Sequence, residues 1–236
     1  FDLNNDGIED FYIGGAKGNL GALYIQDTLE KFNNTNQKVF RNTKPYEDVD
    51  AEFFDADMDG DLDLYVVSGS NEFKLESKQY KDRLYINEEG KFKEVTKNAL
   101  ADAPSVSGSV IKPHDYDGDG DLDLFVGGRQ TPGKYPNSGT SFVLRNDSED
   151  THLKFTKIQA TIFDELGMVT DAKWSDIDGD NVKELIVIGE WMPIKIFKND
   201  KGVFTDITDF SGLADQIGWW FSLETADFDN DGIGDN

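Results

Sequence analysis

The chain has 236 residues, with 47 acidic against 23 basic side chains, a formal net charge of −24 and no cysteine. That balance excludes a nucleic-acid binder, which needs a basic stripe, and the lack of thiols excludes a disulfide-stapled scaffold. No apolar run approaches the roughly 20 residues of a bilayer-spanning helix, so membrane insertion by this segment is not expected.

The chain opens on DLNNDGIED from Asp2, the first of five copies of Asp-x-Asp/Asn-x-Asp-Gly-x-x-Asp, and the strands GALYIQD and LEKFNN follow it. VDAEFF then leads into DADMDGDLD from Asp55, a β-rich run LYVVSG, the connector SNEFKLESKQYKDR and the strands DRLYINEEG and KFKEVT. SGSVIKPH precedes DYDGDGDLD from Asp115, after which come LFVGG, the connector GRQTPGKYPNSGTS, SFVLRND and LKFTKI. VTDAKW, which carries a core Trp174, enters DIDGDNVKE from Asp176, followed by LIVIGE, the short connector EWMP, IKIFKND and VFTDIT. The connector SGLADQIGWW and the strand WFSLETA end at DFDNDGIGD from Asp227.

Carboxylates crowded into nine residues repel one another unless a cation neutralises them. Ca²⁺ suits such a loop, because it accepts six to eight oxygens in flexible geometry, from side chains at positions 1, 3, 5 and 9 and a carbonyl at 7. The side-chain ligands are then Asp2, Asn4, Asp6 and Asp10; Asp55, Asp57, Asp59 and Asp63; Asp115, Asp117, Asp119 and Asp123; Asp176, Asp178, Asp180 and Glu184; and Asp227, Asp229, Asp231 and Asp235. Ile8, Asp61, Asp121, Val182 and Ile233 supply the carbonyls, and up to five ions are expected, the three central loops being the most complete. Position 6 needs a left-handed backbone, met by Gly in four copies and by Asn181 in the fourth. An EF-hand would require a Glu and a helix at position 12, where this chain has Val66, Val126 and Val187 in strand-like runs.

First aspartates at 2, 55, 115, 176 and 227 lie 53, 60, 61 and 51 residues apart, a period that means a propeller or solenoid. Each period reads as a four-stranded antiparallel meander, A to D, with the acidic loop between A and B. Such a sheet is apolar on both faces and must stack on copies of itself, so the expected fold is an all-β β-propeller. The chain reads as one fragment of it, a partial arc of a larger ring, with units at 1–47, 48–106, 107–168 and 169–218 and a further blade starting at 219–236.

The copy VSGSVIKPHDYDGDGDLDLFVGG resembles the FG-GAP or VCBS repeat family, the calcium-loop propellers that include the integrin α-subunit head. DRLYINEEGKFKEVT, GEWMPIKIFKNDKGVFTDIT and GWWFSLETADFDNDG are similar to bacterial surface proteins related to cartilage acidic protein. The resemblance implies seven or eight blades in the parent protein, Ca²⁺ in the AB loops, and partners bound on the opposite face.

Weak extracellular calcium loops stand empty at cytosolic calcium, so an extracellular or cell-surface location is expected, and the lack of cysteine tilts the source toward bacteria. His114 and His152 lack a nucleophile context, and the clustered carboxylates are assigned to metal, so no enzyme is expected. The connectors opposite the acidic loops offer Trp191, Trp219, Trp220, Tyr135, Tyr80 and Arg129 as a face for a protein or glycan. The expected function is a calcium-binding adhesion or interaction module; a carbohydrate-active enzyme, a lectin or a plain spacer on the same scaffold are the alternatives.

Overall fold

The structure, a computed structural model, describes residues 1–4, 6–28, 31–149 and 152–227. The first sheet holds β1 (Phe11–Ile13), β2 (Ala22–Thr28) and β3 (Lys31–Asn34). The second is a meander of β4 (Asp48–Phe54), β5 (Asp63–Ser68), β6 (Arg83–Glu88) and β7 (Lys91–Glu94). The third repeats it with β8 (Gly108–His114), β9 (Asp123–Gly128), β10 (Phe142–Asn146) and β11 (Phe155–Lys157). The fourth contains β12 (Met168–Ser175), β13 (Glu184–Pro193), β14 (Lys195–Asp200) and β15 (Val203–Asp206), with β16 (Ile217–Trp219) paired to β13. All pairings are antiparallel, so these are blades of a β-propeller.

Alternation along the second strand of each blade explains the stacking. Leu64 and Val66 of β5 join Leu23, Phe40 and Phe53 in the core shared with the first blade. Tyr65 and Val67, on the other face, join Ile111, Leu124 and Val126 of the third. Phe125 and Val143 then pack with Phe163, Val187 and Trp174 toward the fourth. A strand buried on both faces reads as a continuous apolar run rather than an alternating one, and all six residues of β5 and of β9 are buried.

The inner strands β4, β8 and β12 each carry a register shift, at Val49, Ser109 and Thr170. The bulges at Ser109 and Thr170 connect neighbouring blades. Ser109 Oγ donates to Val169 O at 2.6 Å and Thr170 Oγ1 to Trp220 O at 2.7 Å. In the same way Asp50 Oδ2 accepts from Ile111 N, and Asp171 Oδ2 from Leu223 N, both at 2.9 Å.

Two expectations are corrected. EWMP, read as a connector, is the end of the long strand β13, because β16 returns from the following connector to pair with it. WFSLETA, read as the inner strand of a further blade, forms no strand over 221–225. It still sits where such a strand belongs, held by the bonds from Thr170 and to Asp171. Among the described residues no helix is long and apolar enough to cross a membrane.

Candidate metal centres and an aromatic pocket

Each acidic loop is shaped by its own carboxylates. At position 1, Asp55 accepts from Asp59 N and Gly60 N, Asp115 from Gly118 N and Gly120 N, and Asp176 from Gly179 N and Asn181 N. Asp2 does the same for Asp6 N and Gly7 N. At position 5, Asp6, Asp59, Asp119 and Asp180 each cap the N–H two residues on. Position 6 has the expected left-handed backbone, with φ of 96° at Gly60, 102° at Gly120 and 66° at Asn181.

Position 9 opens the second strand and holds the loop to the blade. Asp63 accepts from Ala56 N at 2.9 Å and Asn87 N at 2.8 Å, and Asp123 from Tyr116 N at 3.2 Å and Asn146 N at 2.8 Å. Asp10 repeats the pattern with Leu3 N and Gln26 N. Glu184, one methylene longer, reaches only Ile177 N, at 3.2 Å, and its Oε1 has no partner although the residue is fully buried.

Three trios bring carboxylate oxygens within 4.8 Å of one another: Asp55, Asp57 and Asp63; Asp115, Asp117 and Asp123; and Asp176, Asp178 and Glu184. Each could hold a metal ion. Burial, opposed by the strand N–H bonds, pushes the carboxyls of Asp63 and Asp123 up to about 7. Burial and then the Asp119 charge push Asp121 up to about 6. Buried oxygens of Asp57, Asp117 and Asp121 are unpartnered, like that of Glu184. The sequence reading gave Asp121 only a carbonyl role; its buried side chain lies among the charges of the third loop, a placement no spacing rule signals.

Asp2, Asp6 and Asp10 are not among the trios. Of the fifth loop only Asp227 is described; Asp229, Asp231, Ile233 and Asp235 lie outside the described residues.

Two further sets of residues at the loops escaped the sequence reading. Asn146 Nδ2 donates to Ala56 O and Asn199 Nδ2 to Tyr116 O, so each of these loops is pinned by the blade that follows it. The recurrence of Asn87, Asn146 and Asn199 at one place in the third strand was the available signal. Lys198 is the other case: its Nζ bonds Asp178 and, at 2.9 Å, Asp180, placing an ammonium on the fourth loop. The same position is Ile86 in the second blade and Arg145 in the third, where Arg145 Nε bonds Asp147 at 2.7 Å.

The profile of the FG-GAP-like repeat matches residues 68–126, 115–187 and 176–235. The chain belongs to the FG-GAP-like repeat family. Each match contains at least one acidic loop, so the family signature covers the trios that begin at Asp115 and Asp176 of this FG-GAP-like chain, while the trio that begins at Asp55 precedes the matched residues. No curated protein matches it significantly. Among solved structures, one reported for specific recognition of non-reducing terminal N-acetylglucosamine by an Agrocybe aegerita lectin superposes with a TM-score of 0.52 at 18% identity. The alignment covers 86% of this chain and 50% of that one, so the chain spans about half the length of that structure. At that identity the likeness is one of fold.

At the opposite end of the blades, four of the six aromatic and arginine candidates come together. Trp191 and Trp219 stack with centroids 5.1 Å apart, and Phe221 lies 5.9 Å from Trp219. Trp191 Nε1 donates to Tyr135 Oη at 3.2 Å, and Tyr135 Oη donates to Glu190 Oε2 at 3.4 Å. Arg129 Nε donates to Glu190 Oε1 at 2.9 Å, joined by Nη2. The Glu190 carboxylate is only 2% exposed and forms the wall of a cavity of about 410 Å³ between the third and fourth blades.

The other two candidates are placed elsewhere. Tyr80 is buried under the second blade's connector, its hydroxyl exchanging hydrogen bonds with Phe73 N and O. Trp220 lies over Ile186, Ile196 and Leu223 in a separate apolar cavity of about 310 Å³. Tyr80 is therefore packed within its own blade, whereas Trp220 lines a cavity apart from the Trp191 cluster.

Proposed function

We propose that this FG-GAP-like propeller is a calcium-stabilised, non-catalytic binding module that works outside the cell. The observation that carries the calcium reading is the set of orphaned oxygens, Glu184 Oε1, Asp57 Oδ1 and Asp117 Oδ1, buried inside clusters that offer only oxygen ligands. An unpartnered buried carboxylate oxygen costs several kcal/mol, and a hard cation removes that cost. All-oxygen sets of flexible geometry suit Ca²⁺ better than Mg²⁺ or Zn²⁺. Asp55, Asp57 and Asp63 would hold one ion, Asp115, Asp117 and Asp123 a second, and Asp176, Asp178 and Glu184 a third. The ion supplies charge neutralisation and rigidity at one end of the blades, which leaves the other end as a fixed surface for a partner.

Loops of this class bind at about 10⁻⁴–10⁻³ M in extracellular modules, which supports an extracellular or cell-surface location. The likeness to the Agrocybe aegerita lectin supports a glycan over a protein as the partner. Calorimetric titration of Ca²⁺ into the EDTA-stripped chain tests the metal reading. Asp57→Asn, Asp117→Asn and Asp178→Asn should each weaken one binding event, and a stripped chain that takes up no Ca²⁺ at millimolar concentration refutes it.

A further inference from the structure

We propose that the cavity between the third and fourth blades, lined by Glu190, Trp191 and Tyr135, is a subsite for one pyranose residue of a neutral saccharide. This deepens the reading of the chain as a binding module and rests on it. Trp191 is the first reason. It is the bulged residue of β13: Glu190 pairs with Trp219 and Met192 with Gly218, and the register shifts between them. Its φ of 59° is a conformation that a bulky side chain avoids, and the residue is 58% exposed. Strain at a bulge that aims a large ring into solvent is a feature of binding sites rather than of cores. Trp219 supports the indole from behind, in stacking contact.

Glu190 is the second reason. A carboxylate offers about four lone-pair positions. Here Arg129 supplies two donors to Oε1, and the Tyr135 hydroxyl reaches Oε2 only at 3.4 Å. Acceptor capacity therefore remains on the lining of a cavity that Trp191, Tyr135 and Ser138 also line. A pyranose presents the matching surface, an apolar C–H face for the ring and a fringe of hydroxyls that donate to the carboxylate.

Charge selects among sugars. The Arg129 and Glu190 charges cancel, Glu190 is the one charged side chain among the described residues that line the cavity, and the chain carries −24 overall. A uronic or sialic acid would meet repulsion without a free cation to receive it. A quaternary ammonium would find the sole carboxylate already paired.

The test uses the calcium-saturated chain, with tryptophan fluorescence and calorimetry read against methyl glycosides of glucose, galactose, mannose, fucose and N-acetylglucosamine, and against an array of neutral glycans. Glucuronic acid, N-acetylneuraminic acid and choline are the comparison ligands. At least one neutral sugar should bind, and Trp191→Ala should weaken it by about tenfold or more, as loss of a central aromatic contact does. Tyr135→Phe should weaken it less, and both variants, altered at exposed positions, should keep the parent melting temperature. Absence of any neutral ligand, a neutral ligand indifferent to both substitutions, or preferential binding of choline or the acidic sugars overturns the proposal. The calcium dependence of melting, read in the same samples, separates the two readings. Melting that responds to calcium without sugar binding sinks the subsite alone, and sugar binding without a calcium response sinks the metal reading alone.

Discussion

Returning calcium to the stripped chain should raise its melting temperature by a fixed amount per decade of free ion, and that slope counts the ions. A ligand bound only by the folded state stabilises it by RT ln(1 + [L]/Kd), so each site above saturation adds about 1.4 kcal/mol per tenfold rise in free Ca²⁺. Three trios therefore add about 4 kcal/mol per decade. An unfolding entropy of about 2.1 cal/mol/K per residue gives about 0.5 kcal/mol/K for 236 residues, hence a slope of about 8 °C per decade. One functional site would give about 3 °C. The assay is calorimetric or fluorescence-detected melting in calcium buffers from micromolar to tens of millimolar, at pH 8, where protons do not compete for the loop carboxylates. Magnesium at the same concentrations should give a much flatter line. A melting temperature that does not move with free calcium refutes the argument that the buried loop oxygens await a cation.

Lys198→Met should tighten calcium binding at the fourth loop a few-fold by removing the ammonium that bonds Asp178 and Asp180; terbium luminescence excited through nearby aromatics reads it, and unchanged affinity removes the idea that Lys198 competes. Asp48→Ala leaves the buried Arg83 guanidinium without its carboxylate, so urea denaturation should report a loss of about 3–5 kcal/mol. A loss under about 1 kcal/mol would mean that the Tyr46 ring, 4.3 Å away, suffices as partner. Asp82, sealed between Tyr65 Oη and Ser68 N, is pushed from 3.8 up to about 7 by burial. The native chain then holds a proton that the unfolded chain has released, so stability should fall as pH rises across that window, by up to about 4 kcal/mol. Asp82→Asn keeps an acceptor for Ser68 N–H and lets its Nδ2 donate to Tyr65 Oη, as the protonated carboxyl does, and should flatten that part of the pH profile; an unaltered profile refutes the assignment.

The blades were legible because their signals are local. The strands around each central loop lie where the apolar runs put them, since a run that is buried on both faces needs no partner to be recognised. The reach of β13 through EWMP was not legible, because it depends on β16, some 25 residues further along the chain. WFSLETA reads as a strand by composition, yet over 221–225 no partner strand among the described residues pairs with it. Pairing, not propensity, decides such a segment.

The acidic clusters follow from the sequence for the same reason: their members lie within nine residues, and a loop that short leaves the carboxylates nowhere else to go. The Asn146 and Asn199 braces and the Lys198 ammonium are different, because each depends on how one strand or blade sits against another. The pocket is the extreme case. Arg129, Tyr135, Glu190 and Trp219 span 90 residues of chain, and Glu190 reads in sequence as one more acid in an acidic protein. Only the stacking of the third blade on the fourth buries its carboxylate, sets Arg129 upon it, and turns the bulged Trp191 outward beside it. Contacts within one loop are fixed by covalent proximity, whereas contacts between blades are fixed by packing, and packing is what the linear order leaves unwritten.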